Sequence, residues 1–509
     1  MNWKQLWPIK SNPIKRMNRL YEEAVRALDR SEDETEQLKA LNLLREAANQ
    51  GHAIAQYRLA RLYERGLLVE SSLSTAAHWY EQAATCGLAH ADRAEEEGPK
   101  DSDWLEAERE SAFRLAWLYD TGGGIPRNLV EAERFYRQAA QLNHPRAQFN
   151  LASLFMEKGR SPAELSEAVR WMQKAAEQDL IQAQFNLAVM LERGHGIDQD
   201  LPAAVLWFRR AAVQGDLMAC KNLARLAAEG RGMPRDLSEA LRWLTKAAEI
   251  GDAEAQYSLA ALILSEPGDT QAGGEALRWL QAAADQGHAK AQYHLGWLYD
   301  IGRVVPQNLA EAFRWYLKAA ENGETQAQFN LANLFADGKG VAQNWPYARL
   351  WFEKAARQGL GGAWLNLGWM YETGTGTPQD LALAAEYYRK GAELNDARAQ
   401  YNLGCQFAVG RGVPEDLREA SFWFRRAAEQ GDASAQFNLA LLYEMGAGLP
   451  QDFQQAYVWY SKAALSNIPE AAQKRDQLAL LMTRDQIGQA QSQVASAAPP
   501  SSPPPSVLD

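Results

Sequence analysis

Cysteine is nearly absent from this 509-residue chain: Cys86, Cys220 and Cys405 are scattered without paired spacing. That excludes a disulfide framework and a zinc knuckle and points to a cytoplasmic setting. The seven histidines are spread out, and no His-Glu-x-x-His motif, nucleophile elbow or phosphate loop occurs. Gly338-Lys339-Gly340 lacks both the spacing of a phosphate loop and its following Ser or Thr. No catalytic residue, cofactor or metal site is therefore expected. No apolar run reaches about 18 residues, so no integral membrane segment is predicted. Lys4, Lys10, Lys15, Arg16 and Arg19 lead the chain, but no apolar stretch of signal-peptide length follows them. A surplus of bases is missing too: 53 Lys and Arg face 64 Asp and Glu, a net charge of -11. Phosphate backbones are held by clustered cations, so nucleic acid is not an expected partner.

What the chain has is a period. Ala-Gln followed by an aromatic residue places Gln148, Gln184, Gln256, Gln292, Gln328, Gln400 and Gln436 at multiples of 36 residues, and Cys220 and Trp364 keep the frame. A second landmark keeps the same interval: Trp171, Trp207, Trp243, Trp279, Trp315, Trp351, Tyr387, Trp423 and Trp459, each followed by Ala-Ala or Gly-Ala. Such periods mean solenoids or arrays. Gln56 and Ala112 begin earlier repeats 56 residues apart, so 20 extra residues lie between them. They fall where nine acids meet three bases, and Ser102 or Asp103 is expected to cap a lengthened first helix there.

Each repeat reads as two amphipathic helices, for example Ala147, Leu151, Ala152, Leu154 and Phe155 on the first and Ala168, Trp171, Met172, Ala175 and Ala176 on the second. Glycine pairs such as Gly194 and Gly196 end the first helix. Asp236, Asp380, Asp416, Asp452, Asn128 or Asn308 cap the second, and Glu239, Glu311 and Glu419 are expected to complete capping boxes. The predicted organisation is a basic arm over 1–16, a degenerate capping repeat over 17–52, eleven repeats over 53–468 with the acidic insertion near 92–111, capping helices over 469–494 with Thr483 and Gln486 at a helix start, and a flexible Pro/Ser-rich tail over 495–509. Helices this short are marginal alone, so the repeats must bury their faces on one another.

The pattern Ala-x-Ala-Gln-aromatic-x-Leu-Ala/Gly-x-x-Tyr, then Gly-x-Gly, Asp-Leu, Trp-aromatic-x-x-Ala-Ala and a closing Gly resembles the Sel1-like repeat family, a relative of tetratricopeptide repeats. The resemblance covers about 416 of the 509 residues. It implies an all-α fold, a right-handed α-solenoid superhelix of about twelve helix-turn-helix repeats. It also implies a concave groove lined by first helices and a non-catalytic adaptor or scaffold function. Many relatives are exported and some carry a cysteine pair in every repeat; this chain shows neither feature. Because some relatives have been proposed to process or bind cell-wall peptides, a hydrolase on such a substrate is the alternative.

With the Gln of Ala-Gln as zero, offsets +2 and +5 point away from the apolar arc at 100 degrees per residue. At +2 stand Asn150, Asn186, Asn222, Asn330, Asn366, Asn402 and Asn438. Asn is a poor helix former, so its recurrence asks for a hydrogen-bonding reason. Two readings stand: the amides grip the backbone of a protein or extended peptide partner, or they bond neighbouring helices. Related tetratricopeptide domains hold peptides with Asn at the corresponding position, which the resemblance extends to these residues. At +5 the residues vary and include Trp117, Trp297 and Trp369, an expected set of partner contacts if they are exposed.

Overall fold

Two apolar stripes per repeat have to be covered, and within each of the chain's two compact units helices cover them by packing on their neighbours in the chain. The computed structural model describes residues 13–30, 33–85, 101–158, 161–265, 270–466 and 468–496. The expected arm before Pro13, Cys86, residues 92–100 of the acidic insertion and the tail beyond Ser496 lie outside them. Every regular element among the described residues is a helix, 26 in all, with no strand. The fold is an all-α repeat stack. Helices group into two compact units, Met1–Trp243 and Leu244–Asp509. Within the second unit, for instance, helix Ala289–Ile301 packs on Leu309–Glu321, which packs on Thr325–Asp337.

Most helices are 13 residues long, as in Ile181–Arg193 and Leu201–Val213. The residue after the landmark aromatic goes deepest in most repeats: Tyr80, Tyr136, Phe208, Tyr316, Tyr388 and Tyr460 are fully buried. The landmark Trp is shallower; Trp243, Trp315, Trp351, Trp423 and Trp459 are buried, whereas Trp171, Trp207 and Trp279 are half-buried. Cations lie over their faces, Lys174 on Trp171, Arg210 on Trp207 and Lys354 on Trp351.

First helices end on a left-handed glycine, and the second glycine of the Gly-x-Gly loop is also left-handed, as at Gly410 and Gly412. The latter has a further reason to be glycine. A Cβ on Gly412 would fall against the Leu381 carbonyl of the preceding repeat. Asn128, Asn308, Asp380, Asp416 and Asp452 cap second helices as expected, and the Asp236 side chain accepts from the Glu239 amide. The expected capping boxes do not form at Glu239 and Glu419, whose carboxylates accept instead from the indoles of Trp243 and Trp423 one turn on. Glu311 turns to Arg314. A recorded box is Ser161 with Glu164.

The helix that takes in the second half of the insertion is long, Asp101–Thr121, but Ser102 and Asp103 lie within its first turn and not at its cap. At the other end, helices Pro469–Ala479 and Arg484–Ser496 follow the last full pair, and Thr483 and Gln486 exchange the two bonds of a capping box.

Candidate functional site

The regular spacing of Gln puts a buried amide at the base of most first helices. Gln148, Gln184, Gln256, Gln292, Gln328, Gln400 and Gln436 each donate to the carbonyl eight residues earlier, at the end of the preceding second helix. Several accept in turn from an amide thirty residues later: Gln178 on Gln148, Gln214 on Gln184, Gln286 on Gln256, Asn322 on Gln292, Gln358 on Gln328 and Gln430 on Gln400. Three slots lack Gln, and their partners change in step: Ala112 is matched by Leu142. Cys220 is matched by Ile250, and Trp364 by Leu394. This ladder holds repeat to repeat, a role that its use as a landmark did not reveal.

The seven Asn at +2 are all half-buried and divide by their neighbours. Asn150 donates to the Tyr136 hydroxyl at 3.0 Å, and that hydroxyl donates to Asp120 at 3.2 Å. Asn330 with Tyr316 and Asp300, and Asn402 with Tyr388 and Glu372, repeat the arrangement. Burial above all, with the carboxylate beside it, pushes the Tyr316 and Tyr388 hydroxyls well above the usual tyrosine range. Where the array begins and ends, a cation replaces the Asn: Arg114 and Lys474 reach Glu64 and Glu444, which take the hydroxyls of Tyr80 and Tyr460. Asn222 donates to Met218 of its own helix.

Asn186, Asn366 and Asn438 follow Met172, Phe352 and Phe424, which offer no hydroxyl, and their amides have no hydrogen-bond partner among the described residues. These three are the open ones.

At +5, Trp117 is 41% and Trp369 42% exposed. Trp297 departs from expectation: it is half-buried, packed beside Leu280 and Leu298, because the repeat before it carries Leu264 and Leu280 where others carry the acid and tyrosine. The sequence reading passed over Trp345, at the start of helix Trp345–Arg357, whose ring lies 6.1 Å from that of Trp369. Its signal was available: the slot holds Leu in most repeats.

His52, His144 and His288 are N-caps, each Nδ1 accepting a backbone amide. His144 and His288 also reach Glu110 and Glu254 through Nε2, and the bond from His144 holds the Glu110 carboxyl below its ordinary range. Cys220 is buried and Cys405 half-buried on first helices. Among the described residues no three His, Cys, Asp or Glu gather as a metal would need, and no helix is long and apolar enough to cross a membrane.

A family profile described as the Sel1 repeat matches twelve segments: 34–52, 53–88, 109–144, 145–180, 181–216, 217–252, 253–288, 289–324, 325–360, 365–396, 397–432 and 433–467. The chain belongs to the Sel1 repeat family. Sel1 repeat proteins generally act in protein–protein interaction and are typically non-catalytic scaffolds. Among solved structures, a protective antigen of uropathogenic Escherichia coli is 29% identical, with a TM-score of 0.65 over 90% of this chain and 94% of that one. A Sel1 repeat protein of Oxalobacter formigenes is 31% identical, with a TM-score of 0.55 over 64% of this chain and 93% of that one. No curated protein matches the chain.

Proposed function

We propose that this Sel1 repeat protein is a non-catalytic cytoplasmic adaptor of a bacterium that holds a partner polypeptide along its first helices. The observation that carries this reading is the division among the asparagines. Asn150, Asn330 and Asn402 are committed to tyrosine hydroxyls, whereas Asn186, Asn366 and Asn438 present amides with no protein partner on the same face as exposed Trp. An amide supplies a donor and an acceptor to an extended backbone, and partly exposed Trp supplies the apolar contact that dominates interfaces. The net charge of -11 favours a protein partner over nucleic acid. The hydrolase alternative finds no supporting constellation in the sequence.

The test is a crosslinking pull-down with Asn186→Ala, Asn366→Ala, Asn438→Ala and Trp369→Ala combined, checked for unchanged helicity. The expected result is loss of the partner. Recovery of the same partner at wild-type yield would sink the reading.

A further inference from the structure

Arginine is unevenly placed along the first helices. At 100 degrees per residue, offsets +2, +5 and +9 from the ladder slot fall within an arc of about 60 degrees, opposite the slot itself. Six bases stand at these offsets in the eleven repeats: Arg58, Arg61, Arg65, Arg114, Arg193 and Arg225. All six belong to the unit Met1–Trp243, and three of them share one helix, Ala53–Arg65. Arg114 and Arg225 are spent on Glu64 and Glu192. Arg58 and Arg65 are exposed, Arg61 is half-buried, and none of the three makes an ion pair among the described residues. That is unusual in a chain whose net charge is -11.

The helix does not need this row for its own stability. Like charges three and four residues apart on a helix repel, and only Arg65, in the last turn, gains from the helix dipole. The one acid of the helix, Glu64, already accepts from the Tyr80 hydroxyl and from Arg114. Carboxylates on neighbouring helices are spent as well, Glu22 on Arg26 and Glu110 on His144. Aromatic rings hold the two arginines in mid-helix. The Arg58 guanidinium lies 5.5 Å from the Tyr21 ring centroid and that of Arg61 5.7 Å from the Tyr57 ring, with one Arg61 N–H reaching the Tyr57 hydroxyl. A guanidinium laid on a ring keeps N–H groups at its edge, and that planar fork fits a carboxylate.

Arg58 and Arg65 are seven residues apart, about 10 Å along the axis at 1.5 Å per residue, a length that extended chain covers in about three residues. We propose that Arg58, Arg61 and Arg65 bind a short run of Asp or Glu side chains in the partner polypeptide. Charge complementarity carries the choice of occupant: three cations on one open stripe, two of them held on rings, lack the anions that the other paired arginines of this face have. The proposal rests on the reading of the first-helix face as a protein-binding surface and states the chemistry of the segment bound at this helix. Asp29 and Asp103 stand beside Tyr21 at the margin of the row. They suit a brief acidic run and oppose a continuous phosphate backbone, which needs cations along its length.

The experiment titrates full-length protein at low salt into a rhodamine-labelled hexaglutamate peptide and reads anisotropy; the peptide's C-terminus is amidated so that only side chains carry its charge. Expected is saturable binding that fades as salt rises and is about tenfold weaker for an Arg58→Gln/Arg61→Gln/Arg65→Gln variant, which loses three exposed charged contacts together. Removing the same charge from second helices, with Arg134→Gln/Arg170→Gln/Arg278→Gln, should leave binding unchanged, and circular dichroism should show equal helicity in all three proteins. Absence of saturable binding, equal weakening in both variants, or tighter binding of hexauridylate RNA than of hexaglutamate would overturn the proposal. The two readings fail separately. A partner lost with the combined Asn and Trp369 variant while hexaglutamate does not bind removes the acidic run and leaves the adaptor; a partner recovered from that variant while hexaglutamate binds keeps the arginine site and removes the role of the asparagines.

Discussion

Gln328 shows how a single buried side chain can serve two repeats. It donates to Ala320, whose carbonyl also accepts from the Gly323 amide, and accepts from the exposed Gln358, so Gln328→Leu removes two hydrogen bonds without stranding either partner. A hydrogen bond contributes about 0.5–1.5 kcal/mol net, and urea unfolding should show a loss of that order. His294 gives a second residue-scale expectation. It stands at a +2 position, and its side chain bonds the Lys290 carbonyl beside Tyr257 and Trp297. Burial lowers its pKa, against opposing contributions from that bond and from Glu324, with Lys290 and His288 adding to the fall. A base whose folded pKa is depressed binds fewer protons folded than unfolded, so stability is present above the ordinary value of 6.5 and declines as pH falls through it. Melting temperature should drop on acidification, and His294→Asn, which restores the residue of other repeats, should flatten that slope. An unchanged slope would rule out His294 as its source.

At the scale of the helix and its loops, the two kinds of glycine should answer differently. Gly412 and Gly431 both have positive φ, but only Gly412 abuts backbone. The Gly431 slot is filled elsewhere by Asn143, Asp179 and Asn395 in the same conformation. Gly431→Asn should stay within about 0.5 kcal/mol of wild type, whereas Gly412→Asn should cost more than about 2 kcal/mol in urea unfolding. The Asp300, Tyr316 and Asn330 chain makes a further case. Tyr316→Phe leaves a carboxylate without its donor and should destabilise by about 1–3 kcal/mol. Adding Asp300→Ala, which copies the natural pairing of Ala408 with Phe424, should restore part of the loss.

Helices, caps and repeat length were legible because they depend on residues close in sequence. The landmark Trp and the +2 Asn were visible too, but their partners were not. Whether an Asn is spent on a hydroxyl depends on the residue fourteen positions earlier being Tyr, and whether Trp297 is exposed depends on Leu264 and Leu280 in the repeat before it. Glu239 and Glu419 fit the capping-box spacing equally well and were taken by indoles, a competition that spacing alone does not rank.

For the molecule as a whole, a stack with nearest-neighbour contacts should tolerate loss of a unit. Deleting residues 397–432 joins Asp396 to Ala433, and Asp396 caps its helix just as Asp432 does. The product should keep its helicity per residue with a lower unfolding midpoint, as circular dichroism would show. Failure to fold would contradict independence of the repeats.

The ladder also preserves a history. Each of its thirty-apart side-chain pairs lies inside one repeat, Gln148 with Gln178 in 145–180 for example, so the heritable pair travels with its repeat, while the carbonyl that the Gln bonds belongs to the repeat before. Once one member mutates, nothing retains its mate, and the paired replacements Cys220 with Ile250 and Trp364 with Leu394 are what such drift leaves behind. A duplication that copies a whole period reproduces both members wherever the break falls. An array built this way can lengthen or shorten in one recombination event without inventing a new junction.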